Sequence, residues 1–276
     1  MPVFGNRKLK DITTSDISEF LTGLECKPAT AKKIKIVFHS ILKYAVKQKY
    51  IVENPCSGAI WKENTEVEYG KIENVLDLKQ AQTLMSLLEE YSCFNTIIKL
   101  LLLTGMRSGE CLGLMWEDID FEEMTITINH NLTDIGGKHT LGSPKTESSR
   151  RVIGMSEVLA SIFREQKAYI DKMSAALGKK FAHPEMVFTS ALGNYRDRNS
   201  VYQSLKRFTK GTEFESLTLH QLRHCNATLL LNSGVDLKIV SEHLGHCDIG
   251  VTANIYADVL KSTKAKVADL ITLKLA

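Results

Sequence analysis

Residues 219–246 read Leu-His-Gln-Leu-Arg-His-Cys-Asn-Ala-Thr-Leu-Leu-Leu-Asn-Ser-Gly-Val-Asp-Leu-Lys-Ile-Val-Ser-Glu-His-Leu-Gly-His. The run from His220 through Leu231 predicts a helix that Gly234 ends, and Val235 to Leu244 predicts a second, with Gly245 as its terminator. His220 and Arg223 stand three residues apart, so a helix carries them on one face. His246 falls on the turn after Gly245. Working upstream, Asn95 to Leu103 predicts a helix whose C′ residue is Gly105. It leads into Thr104-Gly105-Met106-Arg107-Ser108-Gly109-Glu110. Ser108-Gly109-Glu110 opens the next helix, with an acidic residue in the favoured first turn. Downstream, Tyr256 follows His246.

Two arginines, two histidines and a late tyrosine are the parts needed to attack a phosphodiester. Such an attack needs a nucleophile, an acid for the leaving 5′ oxygen, and positive charge around the phosphoryl oxygens. Arginine suits the last task because its planar fork donates two hydrogen bonds and stays charged. Arg107 and Arg223 are the candidate clamp. Tyrosine is a weak nucleophile at its free pKa of about 10, and a positive pocket assists its deprotonation.

With these motifs in order, together with the turn Ser-Pro-Lys-Thr-Glu-Ser-Ser-Arg-Arg at 143–151, the chain resembles the tyrosine recombinases, specifically the integrases of phages and conjugative transposons. The resemblance covers nearly the whole chain. It implies catalytic roles for Arg107, Lys145, His220, Arg223, His246 and Tyr256. Lys145 would protonate the leaving 5′-OH, and Tyr256 would form a covalent 3′-phosphotyrosine without metal, ATP or another cofactor. Glu110 matches a supporting acidic position expected to orient Arg107.

The fold this implies is mainly α with a small antiparallel sheet, a helical core-binding lobe plus an α+β catalytic domain, closing as a C-shaped clamp on DNA. The implied partners are double-stranded DNA attachment sites, other protomers of the chain in a tetrameric synapse, and an accessory directionality factor. The tail from Leu260 to Ala276 is expected to dock on a neighbouring protomer. Integrases of this type usually carry an arm-binding domain and a further helix before the phrase that here occupies residues 2–9, so arm-site binding is not expected of this chain. Cys225 and Asn226 depart from the family's more frequent threonine and aromatic, which bears on packing.

The remaining sequence fits that division. The first 61 residues predict a helical, partial core-binding domain, residues 62–75 a polar linker, and residues 76–276 the catalytic domain with its docking tail. Ser15 or Asp16 is the expected cap of a helix through Leu21, ended by Gly23. A longer helix starts at Pro28, with Ile34, Val37, Phe38, Ile41, Leu42, Ala45 and Val46 as its apolar stripe and Asn54-Pro55 as its stop. Leu78 to about Tyr91 predicts another helix. Residues 124–130 alternate as a strand, two short strands are expected within 139–155 around a turn at Ser143-Pro144-Lys145-Thr146, and the pattern is helical from Ser156 onward.

Net charge is only +3, but residues 1–50 hold ten Lys/Arg and four Asp/Glu, leaving the rest of the chain at −3. A basic first segment suits contact with phosphates. Six scattered cysteines with no Cys-x-x-Cys pair read as reduced thiols of a cytosolic protein. No apolar run approaches the roughly 20 residues of a membrane helix. His220, His224, Cys225, His243, His246 and Cys247 match no compact metal motif, and nearby arginines oppose a cation. Two other readings compete. A type IB topoisomerase-like enzyme shares the Arg, Lys, His and Tyr chemistry but relaxes DNA. A DNA-binding relative that no longer cuts is disfavoured because every matched position holds the expected residue type.

Overall fold

The hydroxyl of Thr13 accepts from the backbone N–H of Asp16, whose carboxylate accepts from the N–H of Thr13. This reciprocal capping box opens helix α1 (Thr14–Thr22), which ends at Gly23. The cap is therefore Thr13 rather than Ser15 or Asp16; Asp16 is the N3 partner that completes the box and also takes Arg7 at 2.8 Å. The computed structural model describes residues 3–26, 28–60, 75–90, 92–143, 150–250 and 252–253. They fall into two compact units, Met1–Glu73 and Asn74–Ala276.

In the first unit, helix α2 (Pro28–Lys47) begins on a proline, a residue pre-set for the first helical position. It stops well before Asn54-Pro55, because Lys49 turns into positive φ and Tyr50 N–H returns to the Ala45 carbonyl. Ile12, Ile17, Leu21, Leu42, Cys56 and Ala59 form the core. Phe4, Phe20 and Phe38 pack beside it with ring centroids 5.1–6.1 Å apart. The expected stripe of α2 is only partly covered. Leu42 and Ala45 are buried, whereas Val37 and Ile41 are 59% and 53% exposed. The face that α1 and residues 51–59 cover is narrower than the stripe the sequence supplies.

The second unit opens with α3 (Leu78–Leu87), capped by an Asp77–Gln80 box and shorter than the expected run to Tyr91. Helix α4 (Cys93–Thr104) follows and is the central element: Ile97, Ile98, Leu100, Leu101 and Leu102 are all buried. It packs on α8, α6 and α5. Gly105 ends it in the left-handed conformation, and α5 (Ser108–Leu112) starts three residues later.

Among the described residues, five short strands come next: β1 (Ile119–Asp120), β2 (Thr125–Ile128), β3 (Asn131–Ile135), β4 (Lys138–Gly142) and β5 (Arg151–Gly154). One antiparallel sheet has the order β1-β2-β5, with Ile128 opposite Arg151; β3 and β4 form a separate hairpin with Ile135 opposite Lys138. The two strands expected within 139–155 are present, but they do not pair with each other. Gly136 and Gly137 both take positive φ, the requirement of a tight hairpin turn, so β4 folds back on β3. That leaves β5 to pair with β2. Residues 144–149, with Lys145, lie outside the described residues.

The remaining described helices are α6 (Glu157–Leu177), α7 (Arg198–Thr209), α8 (Leu219–Asn232) and α9 (Leu237–Leu244). Ser156, Asp197, Thr218 and Asp236 cap them, each through its side chain. Asn226 of α8 donates to the carbonyls of Leu102 and Leu103, which fixes α8 on the end of α4. No helix among the described residues is long and apolar enough to cross a membrane.

Candidate active site

The site is built from helix ends. Gly105 turns the chain from α4 into α5, and a Cβ there would stand 2.6 Å from Asn226 Oδ1 and from Leu244 Cδ2. Only glycine fits this left-handed corner between three helices. Two residues on, Arg107 precedes α5, and its N–H donates to Glu110 Oε2 at 2.9 Å while its Nη1 donates to Oε1 at 2.7 Å. Glu110 is 1% exposed. Burial alone would raise its pKa, but the bonds and charge of Arg151 and the bonds from Arg107 outweigh it, so the carboxyl is held below its usual range.

Three arginines converge on the end of α9. Arg151 Nε donates to the His243 carbonyl at 2.6 Å, Arg223 Nη2 to the Leu244 carbonyl at 2.7 Å, and Arg107 Nη2 to the Gly245 carbonyl at 3.0 Å. The last carbonyls of a helix lack intrahelical donors and carry the negative end of its dipole, so consecutive guanidinium groups suit them. Arg223 also donates Nη1 to the Gly105 carbonyl at 2.8 Å and is 3% exposed. Burial and the neighbouring Arg107 charge lower its pKa to about 9, which leaves it charged at neutral pH.

Arg107, His220 and Arg223 line one cleft of about 320 Å³, together with Ser108, Asn131 and Arg198. His220 stands at the rim, its ring edge-on to His224 at 4.6 Å. Partial desolvation, then His224 and the arginines, push its pKa down to about 4. His246 is half-buried and its Nδ1 lies 2.7 Å from the hydroxyl of the buried Thr252. Desolvation, Arg223 and Arg107 bring its pKa to about 4 as well. Both rings are neutral at pH 7, each able to donate one hydrogen bond and accept one.

The structure thus brings together Arg107, Glu110, His220, Arg223 and His246, from α5, α8 and the turn after α9. Lys145 and Tyr256 lie outside the described residues. Arg151 ends the quoted 143–151 motif, yet nothing in its spacing marks a role for it. Thr252 and Arg198 likewise carry no signal of spacing. Cys225, one of the metal-ligand candidates, accepts the Leu76 N–H at its sulfur. No group of three or more potential ligands stands together among the described residues.

The sequence profile of the Phage integrase family matches residues 74–263. The chain belongs to this family. A tyrosine recombinase XerC-like protein of Caldanaerobacter subterraneus is 28% identical over 95% of the chain and 71% of its own length. The ICEBs1 integrase of Bacillus subtilis is 25% identical over the same shares. Among solved structures, the Tn1549 transposon integrase in complex with a circular intermediate DNA superposes with a TM-score of 0.69 at 24% identity, covering 94% of this chain and 86% of that one. The XerH site-specific recombinase bound to a palindromic difH substrate gives 0.65 at 21%, covering 96% and 74%. The shared architecture is the two-domain one of these recombinases, mainly helical with a small antiparallel sheet. Site-specific recombination of DNA is the general function that goes with this integrase family and fold.

Proposed function

We propose that this integrase cuts and rejoins duplex DNA through a covalent 3′-phosphotyrosine, integrating and excising mobile DNA. The observation that supports this best is the shared cleft of Arg107, Arg223 and His220, in which both guanidinium groups are fixed by backbone carbonyls before any substrate arrives. Preorganised donors of this kind stabilise the charge of a phosphoryl transition state at no cost of reorganisation. The Tyr256 oxygen forms a bond to phosphorus as the bond to the 5′ oxygen breaks. The Tyr256 proton passes to a neutral imidazole, for which His220 and His246 are the candidates, and Lys145 gives a proton to the leaving 5′ oxygen. Glu110 holds Arg107 in place and takes no part in proton transfer.

The basic first unit contacts DNA as a core-binding lobe, with Lys32, Lys33, Lys43 and Lys47 of α2 exposed and available to phosphates. A lambda integrase dimer has been solved on a core site. By analogy, further protomers of this chain share the synapse, the 260–276 tail docking between them, and an accessory factor biases direction.

The test uses nicked duplexes carrying candidate attachment sites, without metal or ATP. A denaturant-resistant protein–DNA adduct is expected from the native chain and not from Tyr256→Phe, with binding equal in both. An adduct that persists in Tyr256→Phe sinks the assignment of the nucleophile. Binding without any adduct from the native chain favours a relative that no longer cuts.

A further inference from the structure

We infer that Arg151 is a positioning residue for strand transfer: it holds the end of α9 and Glu110 in register, and through them the guanidinium of Arg107. The inference rests on the proposed chemistry but is carried by separate geometry. Arg151 is the first residue of β5, and its side chain is only 6% exposed. It is the one arginine of the three on α9 that does not line the cleft. Its Nη2 donates to Glu110 Oε2 at 2.9 Å and its Nε to the His243 carbonyl at 2.6 Å.

Those two acceptors lead to Arg107 by two routes. Glu110 uses its other oxygen for Arg107 Nη1 and shares Oε2 between Arg151 and the Arg107 backbone N–H. The α9 end offers its next two carbonyls to Arg223 and Arg107. One planar fork thus ties together a carboxylate and a helix end that both grip the same cleft arginine. Lysine carries the charge of Arg151 without its fixed fork, so it can neutralise Glu110 but not hold both acceptors in the same geometry.

The experiment compares Arg151→Lys and Arg151→Gln with the native chain by two readouts. The first is the crystal structure of each variant that folds with a native circular dichroism spectrum. The Arg107 Nη2 bond to the Gly245 carbonyl is expected to be lost in Arg151→Gln, and the His243 carbonyl to lose its donor in Arg151→Lys. The second is the single-turnover rate of adduct formation at saturating DNA, expected to fall about 10²-fold for Arg151→Gln, the scale of a misplaced catalytic group. The fall should be smaller for Arg151→Lys, and DNA affinity should stay within twofold in both. Uniform loss of affinity and rate marks a merely structural role and overturns the inference. So does an Arg107 that keeps its place in both variants. If the native chain forms no adduct, the proposed chemistry fails, and the crystal structures still decide whether Arg151 positions Arg107.

Discussion

At the scale of single residues, Glu110 anchors the site. It is buried and bonded to two arginines. Removing one partner of such a group leaves the others uncompensated, so Glu110→Ala should cost about 3 kcal/mol of stability, read as a shift of the urea midpoint at unchanged slope. Arg107→Lys should keep the fold but lower the adduct rate about 10²-fold. A single ammonium cannot serve Glu110, the Gly245 carbonyl and a phosphate in the way the fork does. Normal transfer by that variant removes Arg107 from the clamp. The histidines give a pH signature. His220 and His246 have folded pKa values of about 4, below the ordinary 6.5. Between those values the unfolded chain binds protons that the folded chain refuses, so stability must fall as pH drops from about 6.5 to 4. His246→Gln should flatten part of that fall in Tm. An unchanged slope would mean that His246 is not held neutral.

At the scale of elements, the corner at Gly105 separates two kinds of strain. Alanine there meets both a positive φ and a collision with Asn226 and Leu244. At Gly211, which also has positive φ, an added Cβ meets nothing within 4 Å. Gly211→Ala should therefore cost about 1 kcal/mol, the conformational penalty alone. Gly105→Ala should cost clearly more and reduce the adduct rate too, because the Gly105 carbonyl holds Arg223. Equal costs in thermal denaturation would mean that α8 and α9 yield freely at this corner.

The same corner explains what is legible in the sequence. Gly105 and Gly245 are readable as helix terminators because left-handed ends select glycine, and those ends carry the site. The β3–β4 hairpin escapes the sequence reading although Asp134-Ile135-Gly136-Gly137-Lys138 holds its turn signal, since Pro144 and Lys145 draw the turn downstream. The stripe on α2 is legible as apolar but not as exposed, because periodicity reports what can be buried and not what arrives to bury it. Arg151 is invisible as a positioning group because its partners, Glu110 and a carbonyl of α9, are far away in sequence.

At the scale of the whole molecule, charge is unevenly distributed: a net +3 conceals a first 50 residues at +6 and a remainder at −3. The proposed division of labour gives non-specific affinity to the first unit and chemistry to the second. It makes a prediction that neither unit makes alone. Each phosphate left without its lysine should make the dependence of log K on log salt shallower by about 0.9. Replacing Lys32, Lys33, Lys43 and Lys47, all exposed on α2, by glutamine should flatten the slope by about 3 to 4 if all four meet phosphates. Affinity should fall by a similar factor on cognate and unrelated duplexes, because bonds to phosphates position the protein without reading bases. Once DNA is saturating, the adduct rate should be unchanged, since the arginine clamp of the second unit is untouched. Binding isotherms at a series of salt concentrations check this. An unaltered slope would take the lysine face of α2 off the DNA and assign the phosphates to the second unit.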